Sequence, residues 1–172
     1  AGLTDDQQYA RALSFPVGAM LNDPGRRYHS AVEMSQLAPF TDAATSIDPT
    51  NFTNTFISYY TWGSAIGLGL DFTLRTRLPG KTLDGYMRAI WLKHGKPEIP
   101  YTLADLQSVL ATYSGDAAFA ADFFQRYISG RDIVDYETLL KRSGFLVRKA
   151  HPGEAWAGQP GVGGGRGGRG GA

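Results

Sequence analysis

The sequence contains no cysteine and no surplus of charge of one sign. Without cysteine there are no disulfide bonds, no thiolate metal ligands and no cysteine nucleophile. The 17 Lys and Arg residues are almost balanced by 16 Asp and Glu residues. Such a chain lacks the strong basic field that steers proteins onto nucleic acid, so we predict no nucleic-acid partner from the overall charge.

Long hydrophobic runs are missing as well. The most apolar stretch, residues 57–74, is interrupted by Asp71 and by three hydroxyl side chains, whereas a bilayer span needs roughly 20 apolar residues. The first eight residues include Asp5 and Asp6 and have no apolar core, so they do not form a secretory signal. We expect a soluble protein with no membrane partner. As to the compartment, the sequence weakly favours a bacterial periplasmic or secreted protein.

Short catalytic motifs are equally scarce. The three histidines, His29, His94 and His151, are scattered, and no H-E-x-x-H pair occurs. His151 and Glu154 flank a Pro-Gly turn rather than one helix face, which fits solvated loop residues better than metal ligands. Neither G-x-S-x-G nor a phosphate-binding glycine loop after a strand is found. We therefore predict no metal site within this chain.

What the sequence does contain is helical periodicity, broken by short Gly and Pro signals. Its length fits one domain with one core. We predict a mainly α fold, a bundle-like arrangement of several helices over residues 1–150. The predicted helices cover about residues 5–20, 30–37, 56–77, 82–95, 102–113, 116–128 and 136–142.

Individual residues predict where these helices begin and end and which side chains face the core. Capping-box spacing is seen at Thr4 with Gln7, Ser30 with Glu33 and Thr102 with Asp105. Pro16 should bend or end the first helix, and Pro39 should stop the second. Three glycines in the third helix suggest that another backbone packs closely against it. The apolar residues expected to face the core in the helices after residue 82 are Leu83, Tyr86, Met87, Ile90, Trp91, Leu103, Leu106, Leu110 and Tyr113.

The C-terminal part has a different composition. A short β element is possible at residues 145–147. From Gly158 the chain is almost entirely glycine with Arg166 and Arg169, so we expect residues 151–172 to include a disordered Gly/Arg-rich tail. The tail superficially matches RNA-binding arginine-glycine segments, but it has two arginines and no aromatic residue, and a linker or tail is the simpler interpretation.

Several segments together resemble one protein family. Residues 58–77, S-Y-Y-T-W-G-S-A-I-G-L-G-L-D-F-T-L-R-T-R, resemble the segment of glycyl aminopeptidases in which Ser-Tyr-Tyr-Thr-Lys-Gly opens a helix. These enzymes are gluzincin-like zinc metallopeptidases that carry a PDZ domain. The resemblance continues, in the same order and spacing, through residues 1–13, 24–27, 82–91, 95–106, 123–130 and 135–144.

The resemblance implies a specific role for the chain. In the family the zinc ligands lie N-terminal to the position of Ala1, so zinc would be a cofactor of the parent enzyme and none would be bound by this chain. Tyr60 matches the tyrosine that related enzymes direct at the reacting carbonyl, and Tyr59 and Trp62 are the accompanying substrate-binding candidates. Trp62 replaces the usual Lys, which changes the expected substrate preference. The alternative is that Tyr59 and Tyr60 are ordinary aromatic residues packed in a core.

The expected function follows from this match. The chain would be the helical subdomain of a zinc-dependent aminopeptidase, forming a cleft wall and meeting its peptide substrate together with the zinc-bearing N-terminal part. It should be inactive alone. The family enters a PDZ domain after this region, and residues 155–158, A-W-A-G, resemble its first strand before the match fails. The alternative is a non-catalytic helical protein-interaction module.

Overall fold

The computed structural model describes residues 4–41, 50, 55–149 and 152–153. Within these residues the fold is mainly α, with seven α-helices and no strand. The helices are α1 (Asp6–Asn22), α2 (Ala31–Thr41), α3 (Tyr59–Arg77), α4 (Leu83–Ile90), α5 (Leu103–Ser114), α6 (Ala117–Phe123) and α7 (Tyr136–Arg142). A 3-10 turn, Pro24–Arg27, follows α1, and π-helical turns, Trp91–Gly95 and Phe124–Ile128, extend α4 and α6.

The predicted fold class is therefore confirmed. Residues 145–147 are not a strand, so the expected β element is wrong. The Gly/Arg-rich segment from Gly158 and the segment resembling a PDZ strand lie outside the described residues.

Side-chain caps set most helix starts. At α2, the Ser30 amide donates to Glu33 Oε2 at 2.6 Å and the Glu33 amide donates to Ser30 Oγ at 3.2 Å. The bond from the Ser30 amide is the main reason that the pKa of Glu33 is lowered. Thr102 and Asp105 form the second predicted capping box. At α1 the predicted N-cap, Thr4, is one residue too early. The N-cap is Asp5, whose charged carboxylate accepts a hydrogen bond from the Gln8 amide at 2.7 Å.

Two prolines lie inside helices that continue past them. α1 runs through Pro16 to Asn22, so Pro16 does not end this helix. α2 runs through Pro39 to Thr41, so the predicted stop before Pro39 is wrong. Each proline removes one helical donor. The carbonyl groups left without that donor belong to Ala12 and Ser35, which are exposed residues that water can reach.

α3 is the central helix of the described core. It contacts α1, α2, α4 and α7, and it buries Trp62, Ala65, Leu70 and Leu74. α5 and α6 form a neighbouring antiparallel pair around Leu110, Phe119 and Phe123. The turn between them is Gly115, in the left-handed conformation that glycine adopts easily.

Two parts of the predicted core need correction. On α4 only Tyr86 of the expected stripe is buried, while Met87 and Trp91 are 56% and 60% exposed. Leu103, at the start of α5, is also exposed. Because successive helical residues are turned by about 100°, Met87 and Trp91 lie away from the side on which Tyr86 contacts α5.

The glycines of α3 differ in what packs against them. A Cβ atom added at Gly69 would lie 2.8 Å from Cγ2 and 3.1 Å from Cβ of Val134, so this position has no room for a larger residue and the segment that contains Val134 packs closely against α3. At Gly63 no atom of the described residues lies within 4 Å of such an atom. Close packing against the glycine face therefore occurs at Gly69 and is not seen at Gly63.

Two buried tyrosines tie the helices together. The Tyr136 hydroxyl donates to the Ala65 carbonyl at 2.8 Å and joins α7 to α3. The Tyr86 hydroxyl donates to the Leu106 carbonyl at 2.9 Å and joins α4 to α5. Burial raises the pKa of Tyr136 well above its ordinary value and raises the pKa of Tyr86 to about 12.

These tyrosines predict a loss of stability at alkaline pH. A phenol whose pKa is higher in the folded state than in the unfolded state, where it is about 10, stabilises the fold fully below pH 10. That contribution is lost as the pH rises through the folded pKa. For Tyr86 we expect the free energy of unfolding to fall by up to about 1.4 kcal/mol per pH unit between roughly pH 10 and 12. Urea denaturation at steps between pH 8 and 12 measures this slope.

The Tyr86→Phe variant is the control for that slope. It should be less stable than the parent at pH 8, by about 1 kcal/mol, because one hydrogen bond is lost. Its stability should then fall less steeply above pH 10. An unchanged slope in the variant would show that other groups cause the alkaline loss.

Candidate functional site

The tyrosine pair predicted as a site lies in the first turn of α3. Tyr59 and Tyr60 directly follow the N-cap residue Ser58. Because successive helical residues are turned by about 100°, Tyr59 shares the inward side of α3 with Trp62 and Ile66, whereas Tyr60 points outward. Tyr60 is 73% exposed and Tyr59 is half-buried. Tyr60 is therefore not a core residue, and its phenol is open to solvent.

The two rings stay in contact despite this difference. Their centroids are 4.4 Å apart and the ring planes are inclined by 37°. Contact with the half-buried ring of Tyr59 restricts the positions available to the Tyr60 side chain. The pair thus presents the Tyr60 hydroxyl group to solvent, and the ring contact with Tyr59 limits the movement of this side chain.

Trp62 occupies a different environment from the one predicted for it. Its side chain is 3% exposed and belongs to the core, which leaves almost no surface for contact with a ligand. The indole lies one turn below the tyrosine pair and supports α3 from inside. Of the three candidate residues, Tyr59 and Tyr60 share an accessible surface and Trp62 does not.

An open groove runs beside the tyrosine pair, with a volume of about 430 Å³. α2 forms one wall and the N-terminal half of α3 forms the other, while the start of α5 and the π-helical turn after α6 close the sides. The described residues that line the groove are Ala31, Val32, Ser35, Gln36, Tyr59, Gly63, Ile66, Leu103 and Ile128. None of them carries a charge, and most contribute apolar atoms.

The spacing of residues on α3 explains this groove. Tyr59, Gly63 and Ile66 follow one another at intervals of four and three residues, so they share one face of the helix. Gly63, in the middle, has no side chain, and no described residue lies within 4 Å of a Cβ atom added there. Tyr59 and Ile66 form the two ends of this face, and the missing side chain of Gly63 provides the depth between them.

Charged residues in the family-like segment fix the helices instead of lining the groove. Asp71 Oδ1 accepts a hydrogen bond from the Leu83 amide at 2.8 Å, and Asp71 Oδ2 accepts one from Arg75 Nε at 2.7 Å. The bond to Asp71 raises the pKa of Arg75. Asp71 therefore holds the start of α4 against α3, away from the tyrosine pair.

The described residues contain no group of three or more His, Asp or Glu side chains able to hold a metal ion. His94 is buried at the π-helical turn after α4, with neither ring nitrogen hydrogen-bonded, and its ring packs against that of Tyr101 at 5.7 Å. His151 and Glu154 lie outside the described residues. The residues of the described site therefore offer no set of ligands for a zinc ion.

No helix among the described residues has the length and apolar character needed to cross a bilayer. Together, the described fold and groove define the class as an all-α domain with an apolar groove next to an exposed tyrosine. No family model matches the sequence, and neither a curated protein nor a solved structure does.

Sequence reasoning found the tyrosine pair but missed the groove. Val32, Leu103 and Ile128 come from three separate segments, and no local motif marks them. Leu103 was expected in the core and is 44% exposed at the groove. The one feature of the sequence that could have indicated the groove is Gly63, a residue that weakens a helix and lies four positions after Tyr59.

Proposed function

We propose that this chain is the helical part of the catalytic region of a zinc-dependent aminopeptidase, where it forms one wall of the substrate cleft. The observation that carries the proposal is the exposed Tyr60 hydroxyl beside an uncharged groove. The order of family-like segments along the sequence supports it independently. Zinc would be held by another part of the parent enzyme, where it would supply an activated water and polarise the scissile carbonyl.

The chemistry assigned to this chain is hydrogen-bond donation. A neutral phenol at the edge of a cleft can donate to the carbonyl oxygen of a peptide as negative charge develops there. Tyr60 is free to approach such an oxygen because most of its side chain is exposed. Its contact with Tyr59 reduces the number of side-chain positions that substrate binding must restrict.

Exposed apolar side chains also favour a chain that packs against further protein. Large apolar residues are more than half exposed on several described segments, and examples are Phe15, Phe40, Trp91, Leu92 and Leu146. A single exposed residue of this kind is normal, but extensive apolar exposure is typical of interaction surfaces. A zinc-bearing partner subdomain of the same enzyme would cover part of this surface.

The second candidate function is a non-catalytic helical module that binds peptides. The groove favours it, because the described residues form the groove without help from another domain. The two functions differ in what they require. Hydrolysis requires zinc and the Tyr60 hydroxyl, whereas simple binding requires neither.

One preparation separates the two functions. The protein that carries this chain is purified from its natural source, and its intact mass, its zinc content and its hydrolysis of alanyl and leucyl p-nitroanilides are measured. We expect a longer polypeptide with stoichiometric zinc and turnover that a chelator abolishes and added zinc restores. A preparation without zinc or turnover that still binds peptides would instead support the binding module.

A further inference from the structure

We propose that the groove between α2 and α3 binds the apolar side chain of the substrate's N-terminal residue, so that leucyl and phenylalanyl peptides are preferred to glycyl and acidic ones. This inference rests on the proposed function, because it takes Tyr60 as the group that faces the reacting carbonyl. It assigns the neighbouring groove as the pocket that determines specificity.

The lining of the groove defines the class of ligand. Tyr59, Ile66, Leu103 and Ile128 provide apolar surface, and among the described residues no Lys, Arg, Asp or Glu lines the groove. A charged side chain placed here would lose its water without gaining a partner. An apolar side chain would gain by leaving water, and its partial burial in this open groove should strengthen binding by about 10-fold.

The size and position of the groove fit one side chain with part of the attached backbone. A volume of about 430 Å³ lies within the range of small-ligand sites, which is roughly 300–1,000 Å³. Tyr59 connects the groove to the proposed catalytic group, since its ring both lines the groove and contacts Tyr60. A residue held in the groove therefore lies next to the tyrosine pair that includes Tyr60. Ser35 and Gln36 supply polar atoms on the wall formed by α2.

Gly63 provides a variant that fills the groove without disturbing the fold. In the part of the chain that the structure describes, no atom lies within 4 Å of a Cβ atom added there, and the backbone is helical. Gly63→Leu should therefore fold at least as well as the parent, because leucine favours helix more than glycine does. Gly18→Leu is the matched control, since Gly18 lies in α1, also has open space beyond it and does not line the groove.

The first test measures binding to the 172-residue chain by two-dimensional NMR, with the tripeptides Leu-Gly-Gly, Gly-Gly-Gly and Glu-Gly-Gly as probes. We expect Leu-Gly-Gly to shift the amide signals of Gly63 and Ile66 and to bind at least tenfold more tightly than the other two. Gly63→Leu should weaken that binding at least tenfold, and Gly18→Leu should leave it unchanged. Equal affinity for the three peptides, or full binding by Gly63→Leu, would overturn the inference.

The second test separates this inference from the proposed function. In the zinc-containing parent protein, the ratio of kcat/KM for leucyl over glycyl p-nitroanilide should exceed 10 and should fall at least tenfold in Gly63→Leu. Turnover with an unchanged ratio would refute the groove as specificity pocket and leave the aminopeptidase intact. Selective binding of Leu-Gly-Gly by a parent protein without turnover would retain the groove and refute the peptidase.

Discussion

Replacing Tyr60 with phenylalanine should lower kcat for an aminoacyl p-nitroanilide by about 100- to 1000-fold in the proposed parent aminopeptidase, the usual cost of losing one donor to a developing oxyanion. KM should change little, because the hydrogen bond is strongest in the transition state. The substitution removes one oxygen atom from a side chain that is 73% exposed. The free energy of unfolding should therefore stay within about 0.5 kcal/mol of the parent value.

Tyr28→Phe is the matched control for this experiment. It removes the same hydroxyl group from a tyrosine that is 56% exposed and does not line the groove. We expect the kcat of this variant to remain within a few-fold of the parent. If Tyr60→Phe were as active as Tyr28→Phe, Tyr60 would not be the oxyanion donor, and the binding module would become the better proposal.

Replacing Trp62 with alanine is expected to have the largest effect on stability, a loss of about 3–5 kcal/mol in the free energy of unfolding. Trp62 is 3% exposed in the core below α3, so its removal leaves a large cavity as well as losing apolar burial. A loss of this size is a large fraction of the stability of an ordinary domain. Urea denaturation followed by circular dichroism at 222 nm measures it.

Two further variants show whether the effect comes from burial. Trp91→Ala removes the same side chain where it is 60% exposed and should cost less than about 1 kcal/mol. Trp62→Phe keeps most of the apolar volume and should lie between the parent and Trp62→Ala. If Trp62→Ala were fully stable but bound Leu-Gly-Gly poorly, the indole would be a substrate contact, as the sequence alone suggested.

Several features of the fold could be predicted because they depend on neighbours in sequence. The capping boxes at Ser30 and Thr102, the helix at residues 136–142 and the turn at Gly115 are set within a few residues. The prolines show the limit of such reasoning. Pro16 and Pro39 each remove one hydrogen-bond donor from their helix. Packing on the rest of the protein and exposed carbonyl groups nevertheless allow both helices to continue.

The candidate site could likewise be predicted only in part. The sequence by itself determined a mainly α protein and placed the two tyrosines at the start of a helix, because periodicity and capping act over short distances. Only the tertiary structure decided that Tyr60 points to solvent, that Trp62 is in the core and that Val32, Leu103 and Ile128 meet beside Tyr59. Exposure and groove formation depend on which helix faces meet, and those contacts join residues far apart in the chain.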